Sequence, residues 1–278
     1  MIKNNYHTHT KYCNHATGEM EDYVKVAIDN NFRELGFSDH MPVSNELLVD
    51  EKYKSLMYLG KPYKNRMEMG DVEKYICELT TLKNKYSNQI KIFIGFECEY
   101  SEKTAKIVRY LYSIADYLIL GMHHFYVGNT VYNTYSSTDM TRERVIEYAN
   151  ECAKALDTGL FKYIAHPDLF MFNYKKTEGR PFTKECETAT RIIIESAIRN
   201  NVFLELNVHE IEYSEAEPIT PWRYPRKEFW DIVSEYKDAK VIIGMDAHKP
   251  EKLVNENYYK ILDFANSCNI KIEDDIGL

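Results

Sequence analysis

The chain has 278 residues, 44% of them hydrophobic and 28% charged, with a formal net charge of −8. Length and apolar content suit one large core, and α/β barrels of this size are commonly single domains. The negative balance argues against a partner as basic-stripe-dependent as long nucleic acid, but it admits an anionic substrate met through divalent cations.

In chain order, the first strand is expected over residues 2–7 (IKNNYH) and the second over 33–38 (RELGFS). Residues 72–87 then place Val72, Ile76, Leu79 and Leu82 at steps of three and four, the stripe of one helix face. A strand over 90–97 (IKIFIGFE) and another over 117–123 (YLILGMH) follow. A helix over 141–157 begins with Thr141 as N-cap and Glu143 in its first turn. Next come a strand over 162–166 (KYIAH), an isoleucine-rich helix over 184–200 and a strand over 202–207 (VFLELN). Pro225 suits the first position of a helix over 225–236. A strand over 240–245 (KVIIGM) and a last helix near 252–268 complete the series.

About seven strand–helix units in regular alternation predict a parallel sheet with helices outside, preferably closed as a single-domain α/β barrel. Barrels of this kind carry their chemistry at the C-terminal ends of the strands. Longer loops near 41–70 and 168–183 would rise over that face. No run of 18 apolar residues occurs and no apolar leader opens the chain, so neither a membrane span nor a secretory signal is expected. Six cysteines without a CxxC pair read as reduced thiols in a cytoplasmic protein.

The strand ends share one chemistry. The first carries His7 and His9, with His15 shortly after. The second ends in GFSDHMP with His40, the third in IGFECEY with Glu97, and the fourth in LILGMHHF with His123. The fifth ends in YIAHPD with His166, and the seventh in IIGMDAHKP with Asp246 and His248. Along a strand, the HxH spacing turns both rings to the same side. A merely polar rim would use Ser, Thr, Asn and Lys freely. Histidine and carboxylate together are ligands for Zn, Fe or Mn. Nine candidates exceed one ion and suit two or three with a bridging carboxylate, an arrangement fitted to hydrolysis at a phosphoryl centre.

These motifs, from HTH near the start through SDH, GFECE, MHH, AHPD and GMDAH, resemble those of the PHP (polymerase and histidinol phosphatase) superfamily. The resemblance runs from residue 7 to residue 248, and in its size and single-domain form the chain looks like the histidinol-phosphate phosphatase type. It implies a distorted (β/α)7 barrel and a trinuclear centre. One ion would use His7, His9, Glu97 and Asp246. A second would share Glu97 and add His123 and His166, and a third would use His15, His40 and His248. A hydroxide bridging two ions would attack phosphorus in line, with Glu97, Asp246 and His248 as the catalytic residues. The substrate implied is L-histidinol phosphate in histidine biosynthesis.

One segment departs from the family pattern. Where such phosphatases often read ELNTSG and then a basic residue, this chain reads LELNVHEIEYSEAEP, so Asn207 matches and Val208, His209 and Glu210 do not. Candidates to meet substrate are Asn207, His209, Arg180, Arg223 and Arg226. Arginine is included because guanidinium forks suit phosphate. Asp39 and Asp168 are candidates to orient ligand rings, and Asp168 or His209 to protonate a leaving alkoxide. Rival readings are a phosphatase or phosphodiesterase for another small phosphorylated substrate, an amidohydrolase, and a non-catalytic polymerase-associated module. The amidohydrolase pattern wants a bridging lysine after the fourth strand, where this chain has GMHH.

Overall fold

The computed structural model describes residues 2–42, 65–135, 140–209, 211 and 223–278. The expected loop at 41–70 lies for the most part outside them.

In chain order the elements are β1 (Asn4–Asn5), α1 (Met20–Asp29), β2 (Glu34–His40), α2 (Val72–Lys85), β3 (Lys91–Cys98), α3 (Ala105–Ile114) and β4 (Tyr117–Leu120). Then come β5 (His124–Val127), β6 (Thr130–Asn133), α4 (Arg142–Leu156), β7 (Tyr163–Ile164), α5 (Lys184–Arg199), β8 (Phe203–Asn207), α6 (Lys227–Val233), β9 (Val241–Gly244) and α7 (Asn257–Ser267). Seven strands form one sheet in the order β1-β2-β3-β4-β7-β8-β9, every neighbouring pair parallel. The two ends of the sheet meet just beyond the strands. Thr8 bridges Ala247 in parallel, and the His9 N–H donates to the Ala247 carbonyl at 2.9 Å. The result is a nearly closed seven-stranded barrel in a single domain. Because helices cover it outside and side chains fill it inside, its strands are buried on both faces and read as near-continuous apolar runs. On β4 the alternation is explicit. Tyr117 and Ile119 join Tyr6, Tyr163, Phe203 and Ile242 inside the barrel, while Leu118 and Leu120 face the helix layer.

The expected helices form with small shifts. Thr141 caps α4, its side-chain oxygen accepting the Arg144 N–H. Pro225 is the exception, because α6 starts at Lys227. Arg226 ahead of it is extended and gives its N–H to the Asp168 carboxylate at 2.5 Å instead of to a helix turn. Two helices and a two-stranded hairpin are additional to the elements expected. Helix α1 buries Met20, Tyr23, Val24 and Ala27, a clear three-and-four spacing, and α3 buries Val108 and Leu111. The antiparallel hairpin β5–β6 turns at Gly128, whose φ is 60°. The 168–183 segment contains two short 3-10 turns and buries Leu169, Phe170, Met171 and Tyr174. No described helix is long and apolar enough to cross a membrane.

Candidate metal centre

The barrel register brings the histidines and carboxylates of the strand ends together. His7 and His9 flank the Thr8 bridge, so extended backbone sends both rings inward and their Nε2 atoms lie 3.1 Å apart. His40 and Glu97 are register partners at the ends of β2 and β3. His166 and Asp246 follow β7 and β9 in left-handed backbone, with φ of 33° and 48°. Non-glycine residues adopt that region at a cost of roughly 1–3 kcal/mol, and such strain concentrates at functional sites.

Three overlapping sets of donors result. In the first, His7 Nε2 and His9 Nε2 lie 3.1–3.6 Å from each other, from Glu97 Oε2 and from Asp246 Oδ1. Donors about 2.0–2.1 Å from a four-coordinate zinc sit about 3.3 Å from one another, so the spacing fits one ion. In the second, Glu97 turns its other oxygen, Oε1, to His123 Nε2 at 3.4 Å and His166 Nε2 at 3.1 Å. In the third, His15 Nε2 and His248 Nε2 are 2.8 Å apart, donor atoms of His40 and His248 lie within 4.8 Å of each other and of one on His9, and the His40 ring meets that of His15 at 5.2 Å. His40 also reaches back, its Nδ1 lying 2.9 Å from Glu97 Oε2. Glu97 therefore stands between the sets, one oxygen to each side.

Glu97 Oε1 and Oε2 and Asp246 Oδ1 are buried and accept no hydrogen bond among the described residues. A buried carboxylate left so costs several kcal/mol, and cations placed among these atoms would remove that cost. The carboxylates also fit tightly. A Cβ on Gly121 would overlap the Glu97 carboxyl, and one on Gly244 would overlap that of Glu205. Burial opposes ionisation of Glu97 and Asp246, but the surrounding imidazoles outweigh it and hold both carboxyls well below the usual range. Burial pushes His15 down to about 4 and drives His40 and His248 well below the ordinary imidazole value. His7, His9 and His166, beside the carboxylates, are by contrast held above the ordinary imidazole value, His7 at about 10, and a cation there would displace their protons, since the ring ligates in its neutral form.

A second layer of polar side chains holds these candidate residues in place. Glu205, fully buried in β8, takes His7 Nδ1 at 2.7 Å on one oxygen. Its other oxygen accepts the His166 N–H and Asn207 Nδ2, each at 3.0 Å. Glu99 lies 2.9 Å from His123 Nδ1 and pairs with Arg66. Asp39 holds the Thr10 N–H at 3.2 Å and stands 3.5 Å from His9 Nδ1. Glu205, Glu99 and Arg66 were missed by sequence reasoning. A glutamate inside the apolar run LELN was the available signal for Glu205.

The remaining candidates fall into two groups. Asn207 donates to Asp246 Oδ2 at 3.2 Å and His209 lies over His248, ring centres 5.2 Å apart, so both adjoin the centre. Arg180 and Arg226 brace loops. Arg180 Nε donates to the Phe172 carbonyl, and Arg226 gives Nη2 to the Arg180 carbonyl and Nε to Glu228. Asp168 joins that bracing, accepting the Arg226 N–H and the Trp230 indole at 3.1 Å. The Arg223 guanidinium stacks 4.3 Å from the Phe172 ring centre. Phe172 in turn belongs to an aromatic chain that sequence reasoning did not identify, running from His123 through Tyr135, Phe172 and Tyr224 to His166.

Residues 5–209 match the model of the PHP domain. A Deinococcus radiodurans protein named "Probable histidinol-phosphatase" is 26% identical over 169 residues, 59% of this chain and 59% of the relative. The chain thus matches less than two thirds of that relative's length. A Schizosaccharomyces pombe protein of the same name is 22% identical over 95% of this chain and 86% of the relative. Among solved structures, histidinol phosphate phosphatase from Lactococcus lactis, complexed with zinc, L-histidinol and phosphate, superimposes with a TM-score of 0.69 at 17% identity. That superposition covers 97% of this chain and 95% of the other, and it carries the fold alone.

Proposed function

The chain belongs to the PHP-domain family, and from that premise we propose that it is a metal-dependent phosphomonoesterase that hydrolyses L-histidinol phosphate to L-histidinol and phosphate in histidine biosynthesis. The observation that carries the reading is Glu97, a buried carboxylate whose two oxygens accept no hydrogen bond among the described residues and face two different sets of imidazoles. The histidinol-phosphatase names of the relatives support the choice of substrate.

His7, His9, Glu97 and Asp246 would hold one divalent ion, Glu97, His123 and His166 a second, and His15, His40 and His248 a third. Zinc, iron and manganese all suit this donor set. Bound cations supply Lewis-acid charge that neutralises a phosphate group and makes water nucleophilic at neutral pH. The chain's own residues do the rest. Glu205 accepts the His7 Nδ1 proton, which fixes the tautomer that turns Nε2 inward, and Glu99 does the same for His123. Asn207 steadies Asp246. Arg223, stacked on Phe172 of the aromatic chain, would meet an anionic ester. Asp168 takes the Arg226 N–H and the Trp230 indole on Oδ2, and burial lifts its carboxyl to about 6, so it braces the segment that carries Tyr224 and Arg223 and would also serve as a proton donor through Oδ1.

The test is phosphate release by the purified protein loaded with zinc or manganese. Histidinol phosphate is compared with generic monoesters, AMP and a phosphodiester. A kcat/KM for histidinol phosphate higher by orders of magnitude supports the reading. A slow rate on it beside a fast rate on another ester overturns the substrate while leaving the metal chemistry. Full activity in Glu97→Ala would overturn the site.

A further inference from the structure

We propose that His209 is a tenth cation ligand, supplied by the one strand end that otherwise contributes none, and that it serves the ion position at the His15–His248 edge. The inference rests on the metal-centre reading above.

The local fold explains how a residue of this loop reaches the centre. Strand β8 ends at Asn207, and Val208 is buried with its N–H on the Gly244 carbonyl at 3.0 Å. Ile211 is also buried, its N–H on the Val208 carbonyl at 3.2 Å. Val208 and Ile211 are thus two apolar anchors three residues apart, joined by that hydrogen bond. His209, directly after the first anchor, stays half-buried on the side of the barrel mouth.

One amide sets both partners. Asn207 Oδ1 accepts the His209 N–H at 2.9 Å, while its Nδ2 donates to Asp246 Oδ2 at 3.2 Å. The turn that carries His209 is thereby tied to the carboxylate beside it. One donor atom each from His209, Asp246 and His248 then lie within 4.8 Å of one another. His248 in turn meets His15 Nε2 at 2.8 Å, which extends the cluster to the third donor set. That set otherwise consists of His15, His40 and His248, three imidazoles with no carboxylate of their own. A fourth imidazole is a chemically matched addition for a borderline ion of the zinc class. Removing it loosens this ion and leaves those held through Glu97.

The experiment uses the full chain, stripped of metal and reloaded with zinc. Ions per chain are counted by atomic emission, and the weakest affinity is measured by competition with a chromophoric chelator. His209→Ala is expected to weaken that one ion by about tenfold or more while the tighter ions stay. In cobalt-loaded protein, His209→Cys is expected to show a thiolate-to-cobalt charge-transfer band that the wild type lacks. Equal stoichiometry and affinities within twofold in His209→Ala, or no new band in a folded His209→Cys chain that binds cobalt, overturn the assignment. A wild type that takes up no ion at all overturns the metal-centre reading itself, a result distinct from equal uptake by wild type and variant.

Discussion

Replacing Glu205 by Gln tests how far the ligands depend on the layer behind them. The carboxylate meets three N–H groups, with His7 Nδ1 at 2.7 Å on Oε1 and the His166 N–H and Asn207 Nδ2 at 3.0 Å on Oε2. All three demand an acceptor. A glutamine of the same shape offers one carbonyl oxygen and one NH2 group. With NH2 toward His7, the ring must move its proton to Nε2 and surrenders the lone pair aimed at the centre. With NH2 toward His166 and Asn207, donor meets donor twice in a fully buried place. Leaving a buried polar group unpaired costs about 1–3 kcal/mol, and each 1.4 kcal/mol is about tenfold in affinity. Glu205→Gln should therefore weaken metal binding by about 10–100-fold, in line with the usual effect of such orienting partners. Chelator competition on wild type and variant measures it, with circular dichroism of the metal-free proteins as the folding control. Affinities within twofold of each other would refute the argument that Glu205 fixes the His7 tautomer.

Gly121→Ala would put a Cβ into the Glu97 carboxyl; about 10²-fold loss of phosphatase activity with reduced ion uptake is expected, read by phosphate release and atomic emission. Arg66→Ala leaves Glu99 buried without its cation, and urea titration should show a loss of about 3 kcal/mol. Glu99→Gln should cost about tenfold in kcat/KM, less than Glu205→Gln, because His123 and Arg66 both meet Glu99 Oε1, which a glutamine carbonyl can replace, whereas donors meet both oxygens of Glu205. Chelating the ions should lower the thermal midpoint by about 5–10 °C, because cations at a hundredfold excess over Kd add about 2.7 kcal/mol to the native state alone. Differential scanning calorimetry with and without chelator checks this, and an unchanged midpoint would count against a metal-filled centre.

The seven strands were legible because a parallel barrel buries both faces of each strand and leaves apolar runs such as IKIFIGFE and VFLELN. The hairpin β5–β6 escaped, although HFYV and TVYN flank a Gly-Asn turn signal. Its first residue adjoins His123, so the stretch reads equally as the tail of β4. Helix α1 escaped although its buried stripe of Met20, Tyr23, Val24 and Ala27 is regular. Pro225 misled because a first-turn preference is local, whereas the Asp168 carboxylate that takes the next N–H lies 58 residues away in sequence.

By itself the sequence determined where the donors would be. Strand-end histidines and carboxylates are local features, and a barrel can place strand ends on only one face. Tertiary structure alone decided how those donors divide. Which oxygen of Glu97 faces which ring depends on the register of β2 against β3 and on the missing Cβ of Gly121. The orienting carboxylates Glu205 and Glu99, and the approach of His209 to His248, join residues 24 to 198 positions apart. Such pairings are set by barrel closure, and no periodicity along the chain encodes them.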